Sequence, residues 1–190
     1  MKRIISDCIK DSINNFNTLL LDDELHHSLK LIVESSITAF KSGRKMFLCG
    51  NGGSASDAQH IAAELSGRFY KDREPLYAEA LHVNSSYITA VSNDYGYDKI
   101  YSRMVEAGGK RGDILIGIST SGSSDNVVEA LKKAQEIGMI TVGFTGKKAS
   151  LMDDFCDMII KVPSEDTPRI QEMHIHIGHI MCYLIEKNMF

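Results

Sequence analysis

Three clusters in this 190-residue chain carry residue types suited to chemistry. The first runs Phe47-Leu48-Cys49-Gly50-Asn51-Gly52-Gly53-Ser54-Ala55-Ser56-Asp57-Ala58-Gln59-His60, with Glu64 four positions on. It reads as a buried strand from Lys45 to Leu48, a glycine turn and the start of a helix. Gly50, Gly52 and Gly53 let the backbone turn sharply and approach a ligand. Ser54, Ser56 or Asp57 is positioned to cap the helix. Its first N–H groups and positive dipole end suit a phosphate. His60 and Glu64, at i and i+4, lie about 40° apart on one helix face and can hold a metal or handle a proton. A surface ion pair is the plainer use of such spacing. A dinucleotide fingerprint is a weak alternative: Gly50 and Gly52 lead to Ala55, where alanine is tolerated, but no acidic residue follows in clear register.

The second cluster, Ser119-Thr120-Ser121-Gly122-Ser123-Ser124, follows another apolar stretch. Five hydroxyls in six positions offer donors to an anion without formal charge. The lysine that a nucleoside triphosphate loop requires is missing. The third is Arg169-Ile170-Gln171-Glu172-Met173-His174-Ile175-His176-Ile177-Gly178-His179. On a helix, Gln171 and His179 fall about 80° apart, and His174 and His176 on roughly opposite sides. The histidines therefore cannot all converge, and spacing alone does not choose between His174 and His179.

The intervening pattern says what must position these clusters. Ile5, Cys8, Ile9, Ser12, Ile13, Phe16, Leu19 and Leu20 predict an amphipathic first helix. A second, capped by Asp22 or Asp23, ends near Gly43. Strand and helix then alternate. Strands are expected at Lys45–Leu48, Ala78–Val83, Asp113–Ser119, Ile140–Thr145 and Met158–Val162. Helices are expected at Asn84–Val91, Ile100–Ala107 and Asn126–Ile137, with a last one from about Arg169 and a polar loop at Ser92–Gly96. The alternation predicts an α/β fold, a five-stranded parallel sheet flanked by helices in three layers, with extra N-terminal helices. Both anion loops fall beyond the strands' carboxyl ends, where ligands of such sheets bind.

Residues 1–190 are expected to form one domain, with 1–42 as a helical pair used in packing and oligomerisation. The net charge of −4 argues against a nucleic-acid partner. No apolar run is long enough to span a membrane. Four scattered cysteines, Cys8, Cys49, Cys156 and Cys182, fit small buried hydrophobes in a reducing cytoplasm.

Taken in order, C-G-N-G-G-S-A-S-D-A-Q-H-I-A-A-E-L, S-N-D-Y-G, G-I-S-T-S-G-S-S-x-N-V and R-I-Q-E-M-H-I-x-x-G-H resemble the SIS-domain sugar isomerases, and among them the phosphoheptose isomerases. The resemblance covers nearly the whole chain. It implies interconversion of sedoheptulose 7-phosphate and D-glycero-D-manno-heptose 7-phosphate, at the head of activated-heptose synthesis for lipopolysaccharide or capsule. It implies one zinc ion per subunit on His60, Glu64, Gln171 and His179, and so picks His179 over His174. Glu64 and His179 become the acid/base candidates. Substrate contacts carry over to Asn51, Gly52, Gly53, Ser54, Asn93, Asp94, Ser119, Thr120, Ser121 and Ser124, together with Glu64 and Gln171. A homotetramer whose neighbouring subunits complete each site is also implied. One departure stands out: some members carry an acid just before R-I-Q-E, whereas this chain has Pro168 there and Asp166 two positions earlier. A non-catalytic binding module of the same fold, or a protein for another phosphosugar, are the rival readings.

Overall fold

The computed structural model describes residues 1–190. Helices α1 (Lys2–Leu20) and α2 (Asp23–Lys41) precede β1 (Met46–Gly50), α3 (Gly53–Ser66) and β2 (Ala78–Ala80). Then come α4 (Ser85–Tyr95), α5 (Ile100–Gly108), β3 (Ile114–Ile118), α6 (Asp125–Ile137), β4 (Ile140–Gly146), β5 (Met158–Val162) and α7 (Thr167–Met189). The strands form one parallel sheet in the order β2-β1-β3-β4-β5.

The strands are apolar almost throughout because both faces are covered. Met46, Leu48, Ile114, Ile116 and Ile118 point into a core shared with α2, α3 and α7. Phe47, Cys49 and Leu115 point the other way, into a core shared with α5 and α6. The helices after β1 and β3 thus lie on opposite faces. A crevice is expected beyond the carboxyl ends of that strand pair, where the chain direction switches.

Local signals explain most boundaries. Asp22 Oδ1 accepts a hydrogen bond of 2.9 Å from the Leu25 N–H, and Asp23 and Glu24 occupy the first turn of α2. Gly138 ends α6 in the left-handed conformation. Pro168 sits in the first turn of α7, where a missing N–H costs nothing.

Three expectations need correction. Ser92–Tyr95 is the last turn of α4 rather than a loop, because Asn84 caps that helix and Gly96 ends it. The second strand stops at Ala80, and β2 pairs only with β1. No side chain caps α3: its N-cap is Gly52 at φ 56°, so Ser54, Ser56 and Asp57 do not serve there. Outside the sheet, α1 turns its apolar stripe outward, leaving Ile4, Ile5, Ile9 and Ile13 more than half exposed. No helix is long and apolar enough to cross a membrane.

His174 is fully buried under the sheet, its Nε2 3.2 Å from the Thr145 carbonyl oxygen, and burial pushes its pKa down to about 4. The unfolded imidazole titrates near 6.5, so between those values the unfolded chain binds the extra proton. The stability of the neutral, buried ring is complete above about pH 6.5 and is lost as pH falls towards 4. Thermal unfolding of the wild type should therefore lose on the order of 2–3 kcal/mol more than His174→Met between pH 7 and 4.5. Parallel losses in both proteins would contradict this linkage.

Candidate active site

Sequence and packing bring α3 and α7 side by side, running in the same direction. Gly178 of α7 has no room for a Cβ, which would come within 2.5 Å of the Ile61 side chain. This close approach brings the exposed ends of both helix faces together. His60 Nε2 lies 3.1 Å from Glu64 Oε1 and 3.0 Å from His179 Nε2. One donor atom from each residue falls within 4.8 Å of the others. Two imidazoles and a carboxylate converging this way suit a transition-type divalent cation. Ligands sharing a tetrahedral zinc sit about 3.3 Å apart, given bonds of about 2.0–2.1 Å. The separations here are close to that, so the three residues fit such an ion.

The neighbouring histidines have different tasks. His174 is a core residue. His176 stacks edge-on against Phe16 of α1, with ring centroids 5.1 Å apart. Only His179 faces His60. Burial, then the nearby His60, hold its pKa below the usual histidine value, against the pull of Glu64. Gln171 comes from the start of the same helix. Its amide lies against Gly53, where an added Cβ would meet Nε2 at 2.6 Å. Eight residues of helix, about 12 Å, separate it from His179.

Gly50 ends β1 where the backbone cannot widen: an added Cβ would lie 2.7 Å from the Ser54 carbonyl oxygen. Beyond it, the amides of Asn51 and Asn126 exchange hydrogen bonds of 2.8 and 2.9 Å across the crevice between β1 and β3. The Tyr97 hydroxyl donates to Asn51 Oδ1 at 3.0 Å. Asn93 and Asp94, bonded to each other at 2.9 Å, lie exposed at the end of α4 just before Tyr97. In the hydroxyl loop, Ser119 Oγ is 2.9 Å from Ser124 Oγ, and Ser121 Oγ accepts the Ser123 N–H at 3.2 Å. Thr120 and Ser121 open onto a cavity of about 200 Å³ whose other wall holds Lys147, Lys148 and Thr167. Both lysines pair with Glu165, at 3.1 and 2.8 Å. Asp166 is exposed and leans towards Arg169 at 3.9 Å.

Several of these residues escape sequence reasoning. Asn126, Tyr97, Lys147 and Lys148 become visible only when the strand ends meet. Asp57 carried a legible signal, because it shares the α3 face with His60 and Glu64 at i, i+3 and i+7. One of its oxygens is buried without a partner. Burial raises its pKa to about 6, against the pull of His60.

Known proteins resemble this chain along its whole length. A family model described as the SIS domain matches residues 13–146. The phosphoheptose isomerase of Clostridium acetobutylicum is 53% identical over 190 residues, covering 100% of this chain and 97% of that protein. That of Aneurinibacillus thermoaerophilus is 48% identical, covering 100% and 96%. A solved structure of phosphoheptose isomerase from Neisseria gonorrhoeae superposes with a TM-score of 0.92 at 37% identity, covering 98% of each chain. On sequence and fold together, the chain belongs to the SIS-domain family and, within it, to the phosphoheptose isomerases.

Proposed function

We propose that the chain interconverts D-sedoheptulose 7-phosphate and D-glycero-D-manno-heptose 7-phosphate through an enediol(ate), and that it works in the cytoplasm as one SIS domain. The observation that carries this reading is the convergence of His60, Glu64 and His179 in a chain so similar to phosphoheptose isomerases. Moving a proton between C1 and C2 needs a base at carbon, a proton carrier at oxygen and a group that steadies the oxyanion. Glu64 and His179 are placed on facing helices to share the two proton positions. Zinc held by His60, Glu64 and His179 would polarise the substrate carbonyl as a Lewis acid.

The phosphate finds donors in Ser119, Thr120, Ser121 and Ser124 and in the uncapped start of α3 at Gly52, Gly53 and Ser54. Lys147 and Lys148 add positive charge beside Thr120 and Ser121. Asn51, Asn93, Asp94 and Gln171 are left to bind sugar hydroxyls. Ser121→Ala should raise KM about tenfold with kcat nearly kept, since the lost donor weakens ground and transition states alike. Steady-state kinetics check it; a large fall in kcat at constant KM would assign Ser121 elsewhere.

The assembly proposed is a homotetramer. The exposed isoleucine stripe of α1 supports it, since burying each such side chain is worth about 1.5–3 kcal/mol. The heptose formed would feed nucleotide activation for surface polysaccharide. Incubation with sedoheptulose 7-phosphate, followed by NMR, tests the activity directly. Appearance of the aldose is expected, and its absence with zinc-loaded protein would overturn the reading.

A further inference from the structure

The most fully bonded buried charge in the molecule lies outside the proposed chemistry. Arg73 and Glu186 side chains are each 2% exposed and meet at 3.1 Å, Nε to Oε2. Glu186 is on α7, seven residues and two turns beyond His179, on nearly the same face. Its Oε1 accepts the N–H groups of Tyr70 and Lys71, both at 2.9 Å, and its Oε2 accepts that of Phe69 at 3.2 Å. Arg73 donates in the other direction, to the carbonyl oxygens that end α3: Glu64 at 2.9 Å and Leu65 at 2.8 Å. The backbone of Glu64 itself is therefore fastened, through Arg73 and Glu186, to the helix of His179.

The same carboxylate lays residues 69–71 across α7. The Phe69 ring comes to rest over His179, with centroids 5.9 Å apart and planes inclined by 27°. Tyr70 follows edge-on to Tyr183 at 5.7 Å. A buried ion pair gains little net stability, because desolvation offsets its Coulomb attraction. What this one supplies is geometry: a fixed distance between two helices, and a flat apolar wall against one imidazole. Imidazole ligands hold a metal or a proton well only when their rotation is restricted.

We propose that Arg73, Glu186 and Phe69 form a positioning device that fixes the His179 ring against His60 and Glu64. It rests on the reading that His179 belongs to the reacting site. Phe69→Leu is the decisive variant, because it leaves the Arg73–Glu186 pair and the backbone donors in place. It should fold with an unchanged melting temperature, lower kcat about tenfold and weaken Zn²⁺ binding about tenfold by chelator competition, with KM within about twofold. Phe69→Tyr, which restores the ring face, should recover both kcat and Zn²⁺ affinity. Glu186→Gln should show the same two losses together with a lower melting temperature. Wild-type kcat and Zn²⁺ affinity in Phe69→Leu would overturn the proposal, as would equal impairment in Phe69→Tyr. His179→Ala, run alongside, separates the layers. An active His179→Ala protein would remove His179 from the site and with it this device. An inactive one beside a normal Phe69→Leu would remove the device alone.

Discussion

Glu64→Gln should lose about a hundredfold to ten-thousandfold in kcat while the fold survives, since that is what a positioned acid or base contributes. The side chain is 26% exposed and its one ion-pair partner is His60 at 3.1 Å. Such a half-open pair contributes little to stability, so removing its charge should barely move the melting temperature. Arg73 bonds the carbonyl oxygen of Glu64, not its carboxylate, so the C-terminal anchorage of α3 is untouched. Glutamine keeps the shape and one oxygen but can neither take a proton from carbon nor bind a cation with full charge. NMR of isomerisation and a circular dichroism melt on one sample decide the matter. A cooperatively melting Glu64→Gln protein with near-wild-type kcat would take Glu64 out of the mechanism.

How much of this was legible beforehand depends on the range of the signal. The strand, glycine turn and helix around Gly50–Glu64 are local, and their residues state them. The parallel sheet follows from strands that are apolar at almost every position. Ser92–Tyr95 misleads for a local reason too: polar residues suggest a loop, but Asn84 and Gly96 set the helix ends and Asn93, Asp94 and Tyr95 are exposed on the helix. The three histidines of α7 show where spacing stops. It separates them by angle, but only packing puts His174 under the sheet, His176 on Phe16 and His179 on His60. The ligand set came from resemblance, not from periodicity. Arg73 and Glu186 are 113 positions apart. Nothing near either residue announces the other, because their pairing is a consequence of α3 and α7 lying parallel. Asn51 and Asn126, 75 positions apart, are hidden for the same reason.

Gln171 gives the second large effect. In one chain its amide rests against Gly53, about two turns of α7 away from His179. We expect Gln171 to help complete the site of another copy, as the resemblance implies for neighbouring subunits. Gln171→Ala and Glu64→Gln chains should then each be nearly inactive alone, yet recover activity when dissociated and reassembled together. A mixed oligomer contains sites that take Glu64 from one parent and Gln171 from the other. Random equimolar mixing makes about a quarter of all sites complete in a closed symmetric assembly. Recovery should track the mixed species seen by sedimentation and vanish if the parents are combined without exchange. Full activity of Gln171→Ala by itself would exclude the residue from the site. Two inactive parents that give no recovery after proven exchange would instead mean that each chain completes its own site, with Gln171 acting on the Gly53 turn it touches here.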